Sequence, residues 1–182
     1  MTGRRSRHRV LLGLAALAAV ALLGVLALLR DPGPRLPDTV AGLPAVSGGD
    51  GLAALERRLG AQPAVADVGG RVYDDGTTRA AVLLVLPREP LTDRTAAELV
   101  DGVLGTTGGP GQGTTRASAD GEALLACADA GAAAGSRQVC VAVEAARAVV
   151  AVVDGLPEGP DGAPAWLDQV RTDVVAAGPS EP

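Results

Sequence analysis

The sequence predicts an α+β protein: an N-terminal transmembrane helix, then one exported domain with a mainly antiparallel sheet of about five strands and about three helices. Three observations predict it. An uninterrupted apolar run, Val10 to Leu29, follows a basic cluster. Pro- and Gly-rich segments bracket residues 38–177. Within that stretch, short runs rich in Val alternate with segments of helical periodicity.

The anchor comes first. Arg4, Arg5, Arg7, His8 and Arg9 form a basic tail over residues 1–9, and residues 10–29 hold nine Leu, three Val, six Ala and two Gly. Twenty residues at the helical rise span about 30 Å, the thickness of a bilayer core. The Leu and Val alone favour insertion by about 4 to 7 kcal/mol. A cleaved signal peptide is the competing reading, with Val25-Leu26-Ala27 as a small-x-small site, but the run exceeds the usual signal core and continues past that site to Arg30. The charge asymmetry places the N-terminus in the cytoplasm and the remainder outside the cell membrane. Residues 1–30 carry a net charge of +5 and residues 31–182 a net charge of −10, which together make the chain's −5. An exported part so acidic argues against nucleic acid or anionic lipid headgroups as its partners.

Residues 30–37 read as a Pro-rich stalk, residues 38–177 as the exported domain and residues 178–182 as a disordered tail. Leu36, Val40 and Leu43 are expected to dock on the domain. Asp50 to Leu59 has Leu52, Leu55 and Leu59 on one face and Gly60 as a stop, predicting the first helix of the domain. Residues 64–73 and 78–86 flank Asp74-Asp75-Gly76 and predict a hairpin. Thr92 or Thr95 opens a second helix, since Thr95 and Glu98 fit a capping box and Gly105 ends it. Thr106 to Ala117 reads as a loop. Its glycines have the spacing of a phosphate-binding loop, but Thr114 stands where Lys is needed and the segment follows a helix rather than a strand.

Residues 122–129, 138–144 and 148–153 predict three further strands. From Val139 to Val153 the chain is so continuously apolar that periodicity alone leaves one buried helix as an alternative to two strands; β-branching favours strands. Asp161 to Ala177 predicts a closing helix, with Pro164 in its first turn and Leu167, Val170 and Val174 on one face.

Composition removes several chemistries. All 16 basic residues are Arg, the one His is His8, and there is no Phe. The exported part therefore lacks imidazole for a catalytic triad or a His-ligated metal, and lacks Lys for a Schiff base. Tyr73 and Trp166 are the only aromatic residues and are read as packing residues. No catalytic, cofactor-binding or metal-binding residue is assigned. Cys127 and Cys140, the only cysteines, are expected to form a structural disulfide between adjacent strands in an oxidising compartment.

Leu36-Pro37-Asp38-Thr39-Val40-Ala41-Gly42-Leu43-Pro44, Tyr73-Asp74-Asp75-Gly76, Cys127, and Cys140-Val141-Ala142-Val143 before a Val-rich strand are similar to the small, uncharacterised single-pass exported proteins of actinomycetes. The similarity spans most of residues 36–156. It implies a membrane-anchored exported domain with a strand at Cys140, and it implies no activity.

The functional expectation is a non-enzymatic extracytoplasmic domain contacting an envelope or membrane protein partner. A binding module for a small apolar or lipidic ligand is the alternative, since strands rich in Ala, Val and Leu can leave a cavity beside a helix. A hydrolase using paired carboxylates is the third and weakest reading.

Overall fold

Among the described residues the longest apolar runs are strands buried on both faces, and this organises the sheet. In the computed structural model the described residues are 34–49, 51–92, 114–130, 137–156 and 162–178, all within one compact unit, Gly33–Pro182. They form β1 (Thr39–Val40), β2 (Leu43–Val46), α1 (Leu52–Gly60), β3 (Val65–Asp74), β4 (Arg79–Pro87), β5 (Thr114–Ala117), β6 (Leu124–Asp129), β7 (Arg137–Val143), β8 (Ala148–Asp154) and α2 (Gly162–Ala176).

The expected α+β domain of about five strands and three helices is corrected. The sheet has eight strands in the order β1-β2-β3-β4-β8-β7-β6-β5, every pair is antiparallel, and the described residues contain two helices. Each half is a run of neighbours in sequence, joined where β4 pairs β8. Three strands account for the difference. β1 and β2 are two and four residues long, too short for a periodic signal; Gly42 makes the turn between them, and Pro44 of β2 lies opposite Thr39 of the edge strand β1. β5 lies within the segment expected to be loop and sits at the opposite edge, with Thr115, Arg116 and Ala117 exposed. The run 139–153 is two strands, with the turn Glu144–Arg147 closed by Glu144 N donating to the Arg147 carbonyl at 2.9 Å.

The expected anchor at 10–29, the basic tail, residues 30–33 of the stalk, the helix expected after Thr92 or Thr95, most of the Gly-rich loop and residues 179–182 lie outside the described residues. Among the described residues no helix is long and apolar enough to cross a membrane.

Strand alternation sends side chains to two cores. On one face Tyr73, Val82, Leu125, Cys140, Ala142, Val149 and Val153 pack under Leu167, Val170 and Val174 of α2, where Val40 and Leu43 are also buried. On the other, Leu83, Val85, Val139, Val141, Ala148 and Val150 pack with Val65 of β3 and Leu59 of α1. A sheet covered on both sides needs apolar residues at successive positions. That explains Ala80–Leu86 and the Val runs of β7 and β8 in an antiparallel context.

Local chemistry sets the corners. In the β3–β4 hairpin Asp75 Oδ1 accepts from the Thr77 and Thr78 amides at 2.8 Å each, and these hydrogen bonds hold its carboxyl below the usual carboxylate range. The β1–β2 turn has positive φ at both Ala41 (45°) and Gly42 (80°), as a two-residue hairpin turn of the primed type requires. Ala41 is held there by its amide, which donates to Asp173 Oδ2 of α2 at 2.6 Å.

The lead-in before β1 is docked on β3. Tyr73 Oη donates to the Pro37 carbonyl at 2.7 Å, Arg71 Nη1 donates to the Leu36 and Pro37 carbonyls at 3.2 Å each, and Arg71 pairs with Asp38 at 2.7 Å. Gly69 shares their face, and a Cβ there would stand 2.5 Å from the Pro34 carbonyl oxygen. Glycine at 69 is what lets the chain approach.

Candidate functional site

The side chains singled out by sequence fall at separate places. Cys127 and Cys140 are directly opposed across β6 and β7, their Cα atoms 4.1 Å apart and their sulfurs at disulfide distance. Both are buried in the α2-side core. Tyr73 is fully buried, and burial pushes its hydroxyl up to about 12, with Arg71 opposing and Asp38 adding to the rise. Trp166 is half-buried against the α2-side core.

Carboxylates do converge, but on a cation. Arg171 is 5% exposed and donates from Nε to Asp168 at 3.0 Å, from Nη1 to Glu144 at 2.9 Å and from Nη2 to Asp120 at 2.6 Å. Glu144 also pairs with Arg147 at 2.9 Å, and Asp120 accepts from Ser118 Oγ at 2.5 Å and from the Glu122 amide at 2.9 Å. The Ser118 hydrogen bond, that amide and Arg171 hold the Asp120 carboxyl far below its ordinary range. Burial of Arg171 opposes its charge, yet hydrogen bonds to Glu144, Asp120 and Asp168 outweigh it and raise its pKa. All three guanidinium nitrogens are engaged. The network ties α2 to the β5–β6 and β7–β8 turns, a structural clamp.

The concave site lies on the other face. Strand register puts Val72, Ala81 and Val152 side by side on β3, β4 and β8, and the next row toward the strand ends is Asp74, Arg79, Asp154 and Arg137. Because register alternates faces strictly, both rows look to the α1 side. There they meet Leu52, Ala54, Leu55 and Arg58 of α1 and Gly49 and Gly51 before it, enclosing a solvent-open groove of about 570 Å³.

Sequence explains why the groove is open. α1 is nine residues long with only Leu59 buried, so its first two turns stand over the sheet while its end is pinned. The floor side chains are short. Gly49 closes one end, where a Cβ would stand 2.4 Å from Val72 Cγ2.

The groove's electrostatics contrast with the acidic chain. Among the described residues its lining contains Arg58, Arg79 and Arg137 against Asp154, with Asp74 next to Arg79 in the same row. Arg137 grips Asp154 with Nε–Oδ1 2.9 Å and Nη2–Oδ2 3.0 Å, which raises the Arg137 pKa. Arg79 Nε is 3.8 Å from Asp74, and Arg58 has no polar partner among the described residues. Such a site offers a short apolar floor and two guanidiniums with spare donors.

Sequence reasoning missed Arg58, Arg79, Arg137 and Asp154 because charges at strand ends and on an exposed helix face read as solvated. Strand register assembles Arg79, Arg137 and Asp154, and α1 brings Arg58 to them. No family model matches the chain, and comparisons with curated proteins and with solved structures give no match.

Proposed function

We propose that the protein is a non-enzymatic extracytoplasmic binding domain, held at the cell membrane by residues 10–29, which takes up a ligand in the groove between α1 and the sheet. The observation that carries this reading is the groove itself. About 570 Å³ lies in the range of small-molecule sites, and it combines an apolar floor with a few convergent polar groups. The alternative drawn from the sequence, a module for a small apolar or lipidic ligand, thereby gains support over contact with a protein partner, because the described surface offers a concave site of ligand size.

The acids do not support the hydrolase reading. Asp120, Glu144 and Asp168 are committed to Arg171, and Asp154 to Arg137. The groove lining supplies aliphatic side chains, glycines, guanidiniums and that one carboxylate, a set suited to holding a ligand rather than transforming it.

Native mass spectrometry of the full chain purified from its own membranes tests the reading. A co-purified mass is expected on the wild type and is expected to be lost in Ala81→Leu, which crowds the floor. A bare wild-type chain, or a bound mass that Ala81→Leu leaves in place, contradicts it.

A further inference from the structure

We infer that the ligand of the groove is an amphipathic anion, a carboxylate or phosphate head on an apolar body about 10 Å long. This inference rests on the groove being the binding surface and adds the chemical class of what fills it.

The length follows from the floor. Val72, Ala81 and Val152 occupy three adjacent strands in register, so the apolar row crosses two strand spacings, about 10 Å. Leu52 and Leu55 wall it.

The charge follows from what each arginine already does. The exported part is strongly acidic, yet the described residues lining the groove include three guanidiniums and one carboxylate, with Asp74 beside Arg79 in the same row. Asp154 satisfies Arg137 in a bidentate pair. Arg79 is left with a loose 3.8 Å contact to Asp74, and Arg58 is left without a polar partner among the described residues. Two solvent-exposed guanidiniums with unused donors beside an apolar surface bind an oxyanion in preference to a neutral or cationic head. An apolar body adds surface burial on the floor that a bare anion lacks, which gives selectivity for the amphipathic form.

Calorimetric titration of the full chain in phosphatidylcholine nanodiscs, with empty nanodiscs as reference, tests the inference using octanoate, octyl phosphate, octanol and octylamine. Octanoate or octyl phosphate is expected to bind, and whichever binds more tightly identifies the head. Arg58→Gln and Arg79→Gln are each expected to weaken that binding about tenfold, while Arg57→Gln, the same charge change on the neighbouring position of α1, leaves it unchanged. Octanol binding as tightly as the anions, or no anion binding above the reference, overturns the ligand class. Anion binding that survives both arginine substitutions overturns the assignment of the head-group contacts. Ala81→Leu separates the two levels. If it leaves octanoate binding intact the groove is not the site, whereas if it abolishes binding that the arginine variants do not alter, the groove stands and the anion assignment fails.

Discussion

Replacing Arg171 by Met tests the clamp that seats α2. The side chain is 5% exposed, and Met keeps its apolar stem while removing the charge. Glu144 and Asp168, with side chains 14% and 17% exposed, then lose their cation. Removing one partner of a buried charged set costs about 3 to 5 kcal/mol. Survivors soften the loss here, since Glu144 keeps Arg147 at 2.9 Å and Asp168 keeps the Ala119 amide at 3.1 Å. The lower end, about 3 kcal/mol, is therefore expected. For a domain of this size that corresponds to a fall in Tm of roughly 10 °C. The assay is urea unfolding of the full chain in detergent, followed by the fluorescence of Trp166, the sole tryptophan, which lies on α2 itself. The midpoint is expected to fall with little change in slope, and adding Glu144→Gln to Arg171→Met is expected to recover part of the loss. A variant within about 0.5 kcal/mol of wild type, the range of an ordinary surface substitution, refutes the reasoning.

Tyr73 is the only tyrosine, so ultraviolet titration reads it alone; half-ionisation is expected at about 12 in the folded chain against about 10 in urea. The folded pKa is the higher one, so the protonated hydroxyl favours the native state. That contribution is whole below pH 10 and is lost as pH rises toward 12, and Tyr73→Phe should remove this alkaline limb. Reduction of the Cys127–Cys140 pair, separated by 13 positions, should lower stability by about 3 kcal/mol in the chain-entropy model; two free thiols titrated in urea before any reductant is added would show that no bond is present. Gly69→Ala should loosen the docked lead-in, because its Cβ would meet the Pro34 carbonyl, and limited trypsin digestion should then cut after Arg35 several-fold faster. Unchanged cleavage would mean that the lead-in gives way without detaching.

Much of the sheet was legible because its central strands carry their own signal. Ala80–Leu86 and the Val runs of β7 and β8 are apolar at every position, and two-sided burial demands this. The same continuity hid whether residues 139–153 made one helix or two strands, since periodicity vanishes when both faces are buried. The edges were illegible for a different reason. β1, β2 and β5 owe their strand character to a neighbour's hydrogen bonds rather than to their own residues, and Thr114-Thr115-Arg116-Ala117 has no apolar stripe to announce it.

The candidate site was the least legible part. Arg79, Arg137 and Asp154 are far apart in sequence and meet only because β4, β8 and β7 align at their ends. Arg171 was hidden by its helix: it follows Val170 on an apolar face, and its burial depends on acids contributed by two distant turns. The cysteine pair was legible because a chain with two cysteines leaves one pairing to consider.

Binding in the groove is tested most directly by methyl NMR of the full chain in nanodiscs with labelled Leu and Val, titrated with octanoate. Methyl signals of Leu52, Leu55, Val72 and Val152, which line the groove, are expected to shift together and saturably. Those of Val149, Val153 and Val174, buried in the α2-side core, are expected to stay in place. Shifts confined to the α2-side methyls, or none beyond those produced by the bilayer alone, would contradict the groove as the binding site.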